Sequence, residues 1–143
     1  MQVLFRAEVV GIQNMSNNQA ELLTEIDGRY YAIGFYSLLD DEHGITDLNS
    51  YYWKVKGNTK SINFENMIDK NGKKIFASLS EDGIGGDEVE IDEYGKAKLK
   101  IEDGSILCEW IDDYATSEEL SNILYKNRVR PDNFVVVIGI HKG

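Results

Sequence analysis

Asp27-Gly28 sits between two apolar runs, residues 20–26 and 29–37. It constrains the fold more than any other feature, because both central positions of a two-residue hairpin need φ above zero. With Ile26 facing Arg29, Leu22 stands opposite Ile33 and one face of the hairpin is apolar throughout. The same punctuation recurs at Asn71-Gly72, between residues 64–70 and 73–79. A third hairpin is expected around Glu93-Tyr94-Gly95. A three-residue loop with Gly95 left-handed sets Ile91 against Ala97 and Val89 against Leu99, and places Asp92, Glu90 and Glu88 across from Lys96, Lys98 and Lys100. A two-residue loop would set Ile91 against Lys98 and mix the faces.

Between these hairpins, residues 3–12 form the first apolar run, 14–19 a polar loop, 38–49 an acidic loop, and 51–56 an aromatic-rich strand. Residues 105–111 read as a further strand. Thr116 with Glu119 three residues on has the spacing of a capping box, opening a helix whose buried stripe is Leu120, Ile123 and Leu124 and whose C-terminal end carries Lys126 and Arg128. Pro131-Asp132-Asn133 turns the chain into residues 134–140, FVVVIGI, apolar on both faces and so expected as a central strand. The fold expected is mainly β (α+β): an antiparallel-rich sheet or partly closed barrel with one helix near the C-terminus, the strands at both chain ends lying inside the sheet.

A chain of 143 residues fits one domain, 1–143, burying roughly 70% of the surface its unfolded form exposes. With 42% hydrophobic residues it is too apolar for a disordered acidic tail. The N-terminus lacks the basic leader, apolar stretch and cleavage site of a signal peptide, and Cys108 as sole cysteine permits no intrachain disulfide. A cytoplasmic setting is expected. No apolar run approaches the ~18 residues that span a bilayer.

Residues 81–119 hold 14 acids against Lys96, Lys98 and Lys100, a local charge of −11 in a chain of −10. Residues 1–80 sum to −2 (10 acids, 8 bases) and 120–143 to +3 (1 acid, 4 bases). A concentrated field of one sign steers partners of the other sign. Direct contact with nucleic acid or anionic membrane is not expected, since both reward Lys and Arg.

Pairing across the third hairpin and a place in the first helical turn would account for Glu88, Glu90, Asp92, Glu118 and Glu119. Glu81, Asp82, Asp87, Glu93, Glu102, Asp103, Glu109, Asp112 and Asp113 are left without a local partner. Within that set, Trp110-Ile111-Asp112-Asp113-Tyr114 puts two carboxylates between two aromatic side chains, a composition suited to an interface with a basic partner. The competing reading makes Trp110 a core residue and the two aspartates a solvated loop.

Other chemistries are poorly supported. EDGIGGDEVEIDE lacks the EF-hand spacing, and GIGG is not followed by the GK[ST] of a phosphate loop. Cys108 alternates with Ile106 and Trp110 and is expected in the core, while His43 and His141 lie far from it in sequence. A carboxylate pair for glycoside hydrolysis is signalled by nothing specific. Tyr51-Tyr52-Trp53 must face both sides of a strand, so at least one ring is expected to be exposed. No catalytic residue, metal ion or cofactor is expected.

The expected function is that of a small acidic binding protein that neutralises a basic protein, such as a nuclease or another nucleic-acid-binding protein, in the manner of an immunity protein, antitoxin or phage anti-defence protein. Carboxylates two residues apart on a strand lie about 6.6–6.8 Å apart, comparable with spacings along a nucleic-acid strand. Two alternatives stand beside it: a structural or assembly subunit forming a homo-oligomer, and a small-ligand or divalent-cation-binding protein or enzyme.

Overall fold

The computed structural model describes residues 3–11, 21–64, 66–111 and 117–143. Its strands are β1 (Leu4–Glu8), β2 (Thr24–Ile26), β3 (Arg29–Leu39), β4 (Glu42–Asp47), β5 (Tyr52–Lys54), β6 (Ser61–Asn63), β7 (Ala77–Ser78), β8 (Asp87–Ile91), β9 (Gly95–Glu102), β10 (Ser105–Trp110), β11 (Glu118–Glu119) and β12 (Val135–Ile140). The one α-helix among the described residues is α1 (Leu120–Asn127). The twelve described strands join one sheet ordered β11-β10-β9-β7-β6-β1-β3-β4-β5, with β2 also on β3 and β8 between β9 and β12. The sheet is antiparallel except where Ser78 of β7 pairs in parallel with Lys100 of β9. No described helix is long and apolar enough to cross a membrane.

Two devices curl the sheet into a half-barrel. Asp27 and Gly28 both take positive φ, 52° and 79°, and close the β2–β3 hairpin with Ile26 opposite Arg29, as the sequence predicts. After β5 the chain returns to β1: Val9 and Val55 form a bridge, Val10 N donates to Lys54 O, and Lys56 N donates to Glu8 O. Inside this curl Ala7, Val9, Ala32, Ile45, Trp53 and Val55 form one apolar cluster. A second cluster, with Ile75, Val89, Leu99, Cys108 and Val135, is covered by Leu120 and Ile123 of α1.

Strand β1 belongs to both halves because its two faces differ. Ala7 and Val9 point into the first cluster, whereas Arg6 points the other way, toward β8. Arg6 Nη2 donates to Asp87 Oδ1 at 2.8 Å and to Gly85 O at 2.9 Å, and the guanidinium lies 4.5 Å from the centre of the Phe76 ring. Asp87 also accepts from Phe76 N at 2.7 Å. The glycine string forms the rest of this seam. A Cβ on Gly85, whose φ is +86°, would stand 2.0 Å from Thr59 O, so the close approach excludes any other residue.

Several expectations are corrected. The 38–49 segment is not a loop: β3 runs to Leu39, and Asp40 and Asp41, at φ 50° and 64°, turn it directly into β4. The β2–β3 ladder ends at Thr24 opposite Tyr31, because β4 takes the same edge of β3 from Gly34 onward, and Leu22 is left 39% exposed. The Asn71-Gly72 turn forms, with Gly72 at φ 77°, but its ladder is the single bridge Ile68–Lys74, since Ala77 and Ser78 pair with β6.

The β8–β9 loop is Asp92-Glu93-Tyr94, with Ile91 opposite Gly95, Val89 opposite Ala97, Glu90 opposite Lys96 and Glu88 opposite Lys98. This is two residues off the expected register, and a shift of two keeps every side chain on its expected face. Glu119 is not inside a helix: Glu118 and Glu119 pair with Cys108 and Leu107, and α1 starts at Leu120. Thr116, the other half of the expected capping box, lies outside the described residues. Among the end strands, β1 lies between β3 and β6 as expected, but β12 pairs with β8 alone and Ile138 is 44% exposed. Its other edge is covered by a polar cap in which Val137 N donates to the Asp69 carboxylate and Lys70 N donates to Val135 O.

Burial pushes the Asp87 carboxyl above its ordinary 3.8, while the Arg6 charge and the Phe76 N–H pull it back. A folded-state pKa above the unfolded one means that this group's contribution is full below the unfolded value and is lost as pH rises through the folded one. Arg6→Met removes the main opposing pull, so its cost is expected to be about 3–5 kcal/mol at neutral pH and smaller at pH 5, because a carboxyl raised by burial comes closer to its neutral form as pH falls. Adding Asp87→Asn should recover part of the loss at neutral pH. Urea unfolding of the single and double variants at both pH values checks this; equal losses at both would contradict it.

Candidate functional site

The alternation of β8, β9 and β10 sorts their side chains onto two faces. Val89, Ile91, Ala97, Leu99 and Cys108 point into the core, and Glu88, Glu90, Lys96, Lys98, Lys100, Glu102, Leu107 and Glu109 point outward. Because β9 lies between β8 and β10, Lys98 has an acid on each side, Glu88 and Glu109. Lys98 and Lys100 both turn to Glu109. Lys100 Nζ lies 3.0 Å from Glu109 Oε2, and Lys98 Nζ lies 3.9 Å from Glu109 Oε1. The same two amines donate to backbone carbonyls of the 80–86 loop, Lys98 to Asp82 O and Lys100 to Glu81 O, both at 3.0 Å.

The expected pairs Asp92–Lys96, Glu90–Lys98 and Glu88–Lys100 are thus replaced. Asp92 pairs with Lys70 at 2.6 Å, and Glu88 with His141 Nδ1 at 2.7 Å. Exposed pairs of this kind contribute about 0–1 kcal/mol each, so they orient the surface more than they stabilise it.

This arrangement gathers part of the expected acidic set. Glu81 and Asp82 are exposed on a loop whose carbonyls are tied to Lys98 and Lys100. Glu102 and Asp103 are exposed at the β9–β10 turn, where Asp103 and Gly104 both take positive φ, and a shallow depression bounded by Lys100, Glu102, Asp103, Glu109 and Glu119 lies beside them. Glu109 is half-buried and has the two lysines as partners. Glu93 sits at the far end, in the β8–β9 turn.

Two expected members do not belong to this surface. Asp87 is fully buried and paired with Arg6, so its carboxylate cannot meet a partner. Trp110 packs against the core beneath α1 and stacks on Tyr94, with ring centres 5.9 Å apart, and Tyr94 in turn meets Phe134 edge-on. Its core reading is the one the packing matches. Asp112, Asp113 and Tyr114 lie outside the described residues.

Among the described residues no group is assembled for nucleophilic or metal chemistry. Cys108 is buried, and burial, reinforced by Glu118, pushes its thiol up to about 12. His43 Nδ1 is hydrogen-bonded with the Tyr36 hydroxyl, and His141 pairs with Glu88, so neither imidazole serves a described serine or cysteine. Among the described residues no three His, Cys, Asp or Glu side chains converge to hold a metal ion. Trp53 is buried, its Nε1 donating to Asp47 at 2.8 Å, whereas Tyr51 and Tyr52 are exposed, matching the expectation of at least one free ring.

Sequence reasoning missed Arg6. Its signal was a cation between Phe5 and Ala7 inside an apolar run, a position that demands a buried partner. Comparison with protein-family models, with curated proteins and with solved structures finds no match to this chain.

A buried thiol held protonated should resist modification. Native protein at neutral pH is expected to react with a disulfide reagent at least about 100-fold more slowly than denatured protein. Absorbance of the released thiolate checks this, and comparable rates would place Cys108 at an accessible surface.

Proposed function

We propose that the protein is a small acidic, non-enzymatic binding protein that neutralises a basic protein surface through the outer face of β9 and β10 and the adjoining 80–86 loop. The observation that carries this reading is the convergence of Glu81, Asp82, Glu102 and Asp103, exposed from two turns, around Lys98 and Lys100. Backbone hydrogen bonds hold the acidic loop against the sheet. A backbone held in this way limits the freedom that Glu81 and Asp82 lose on binding, which favours recognition of a charged partner over diffuse attraction. The preferred partner is a nuclease or other nucleic-acid-binding protein, whose cleft is built for an array of anions, and a cytoplasmic setting belongs to the same proposal.

A homo-oligomeric subunit is the second reading, favoured by a different surface. Phe35 and Tyr52 share a row across Thr46 on the outer face of β3, β4 and β5, and both are exposed, as are Leu38 and Leu39 at the end of the β3–β4 hairpin. Contacts through such a face would be apolar and would persist in high salt.

The two readings separate in one experiment. Wild type and a Glu81→Lys, Glu102→Lys variant, both checked for folding, are used as bait against lysate of the source organism or its host, and their masses are followed by light scattering at low and high salt. The proposal expects a basic protein that elutes as salt rises and is lost with the variant. Equal capture by the variant, or a salt-resistant homo-oligomer without a basic partner, would replace it with the subunit reading.

A further inference from the structure

Hairpin β2–β3 and strand β12 leave a groove between them at the seam that Arg6 closes. Its volume is about 520 Å³, within the roughly 300–1,000 Å³ of small-molecule sites, which favour junctions between packed units of a fold. The walls are apolar, formed chiefly by Ile26, Ile33, Phe76, Val137, Ile138 and Ile140. Arg6 and Asp87 line its inner end, and Lys73 and Lys74 its rim.

The polar groups in this groove are not balanced. Arg6 uses Nη2 for both of its described hydrogen bonds, to Gly85 O and Asp87 Oδ1. Its Nε is buried without a hydrogen-bond partner among the described residues. A guanidinium offers five N–H donors in a planar fork, and a buried donor without an acceptor favours any ligand that supplies one. The local charge has the same sense. Asp87 is matched by Arg6 and Asp27 by Lys142 at 3.3 Å, whereas neither Lys73 nor Lys74 pairs with a described acid. In a protein of net charge −10, this groove carries an excess of cations.

An extended peptide added to the edge of β12 fits less well. Val137 N and Val135 O, which would anchor it, are already engaged by the Asp69 carboxylate and Lys70 N. A nucleotide would need more donors than these apolar walls provide.

We infer that the groove binds a small amphipathic anion, a monocarboxylate with a hydrocarbon body. The chain lies along Ile26, Ile33, Val137 and Ile138, and the carboxylate is held by Arg6 Nε and the two rim lysines. This site is distinct from the acidic face, so the outcome of partner capture has no bearing on it.

The test uses decanoate, decanol and acetate as probes on isotope-labelled protein. Decanoate is expected to bind saturably, to raise the melting temperature, and to shift the Arg6 Nε–H resonance together with the amides of residues 137–140. Decanol should bind at least about tenfold more weakly and acetate should not saturate, because both the charge and the chain are recognised. Lys73→Glu with Lys74→Glu, two exposed positions outside the core, should weaken decanoate at least about tenfold without lowering the melting temperature of the free protein. Ile138→Gln, which removes an apolar wall, should weaken decanoate and leave acetate unchanged. Equal binding of decanol and decanoate, unchanged decanoate affinity in the lysine variant, or shifts that leave the Arg6 Nε–H in place would each overturn the assignment.

Discussion

The ion pair of Arg6 with Asp87 joins the two apolar clusters of this protein. Each cluster is small: one fills the curl made by β1, β3, β4 and β5, and the other lies between α1 and the β8–β9–β10 face. Strand pairing through β6 and β7 connects them by ladders of only two or three residues. Arg6 and Asp87, both almost wholly buried, add a charge-assisted bond across that connection and leave the Phe76 ring sandwiched against the guanidinium. Removing two charges from water costs several kcal/mol per ion, which their attraction offsets only if further hydrogen bonds complete the shell. Gly85 O and Phe76 N supply two such bonds, the close approach of Gly85 to Thr59 putting its carbonyl within reach, and Arg6 Nε is the donor left over among the described residues. The glycine-acid string, which looks in sequence like a metal or phosphate loop, is thus explained by packing at this seam.

The excess of acids takes a different meaning once the register is known. Nine carboxylates have no local partner in the sequence, but two of them, Asp87 and Glu109, have cationic neighbours brought by strands distant in the chain or paired beside them. Lys98 and Lys100 do more than neutralise Glu109. By donating to carbonyls of residues 81 and 82 they hold the acidic loop down on the sheet. Among the remaining exposed acids, Glu81 and Asp82 therefore stand on a loop whose backbone two lysines tie to the sheet.

Local rules were readable from the chain where the turn chemistry was unambiguous, as at Asp27-Gly28, and where the alternation was long, as in β8, β9 and β10. They failed where two partners competed for one element. The sequence pairs the charges of β8 and β9 as a two-stranded ladder, but β9 also has β10, and Glu109 draws Lys98 and Lys100 to its side. Glu119 has the right spacing for a capping box, yet pairing with Leu107 holds it extended. The Asp40-Asp41 turn has no glycine, so its left-handed backbone was hidden by residues that ordinarily mark a loop. FVVVIGI is apolar enough for a central strand, but Asp69, 68 residues away from Val137, covers one of its edges with a carboxylate. Arg6 announced a buried charge, whereas its partner 81 residues on could not be read from any local pattern.

Net charge is a poor guide to what such a molecule meets at any one place. At physiological ionic strength fields between exposed charges fade over about 8 Å, so each face acts by its own composition. The outer face of β9 and β10 carries exposed carboxylates at its edge, while the seam groove carries the buried Arg6–Asp87 pair and two lysines that pair with no described acid, among apolar walls. A buried charge is screened far less than a surface one, so the Arg6–Asp87 pair acts on the groove more strongly than the distant surface acids do. The ion pair that holds the two halves together therefore also lines the cavity beside it. Arg6 can serve both ends because a guanidinium directs its donors along more than one edge, which the compact ammonium of a lysine would not do.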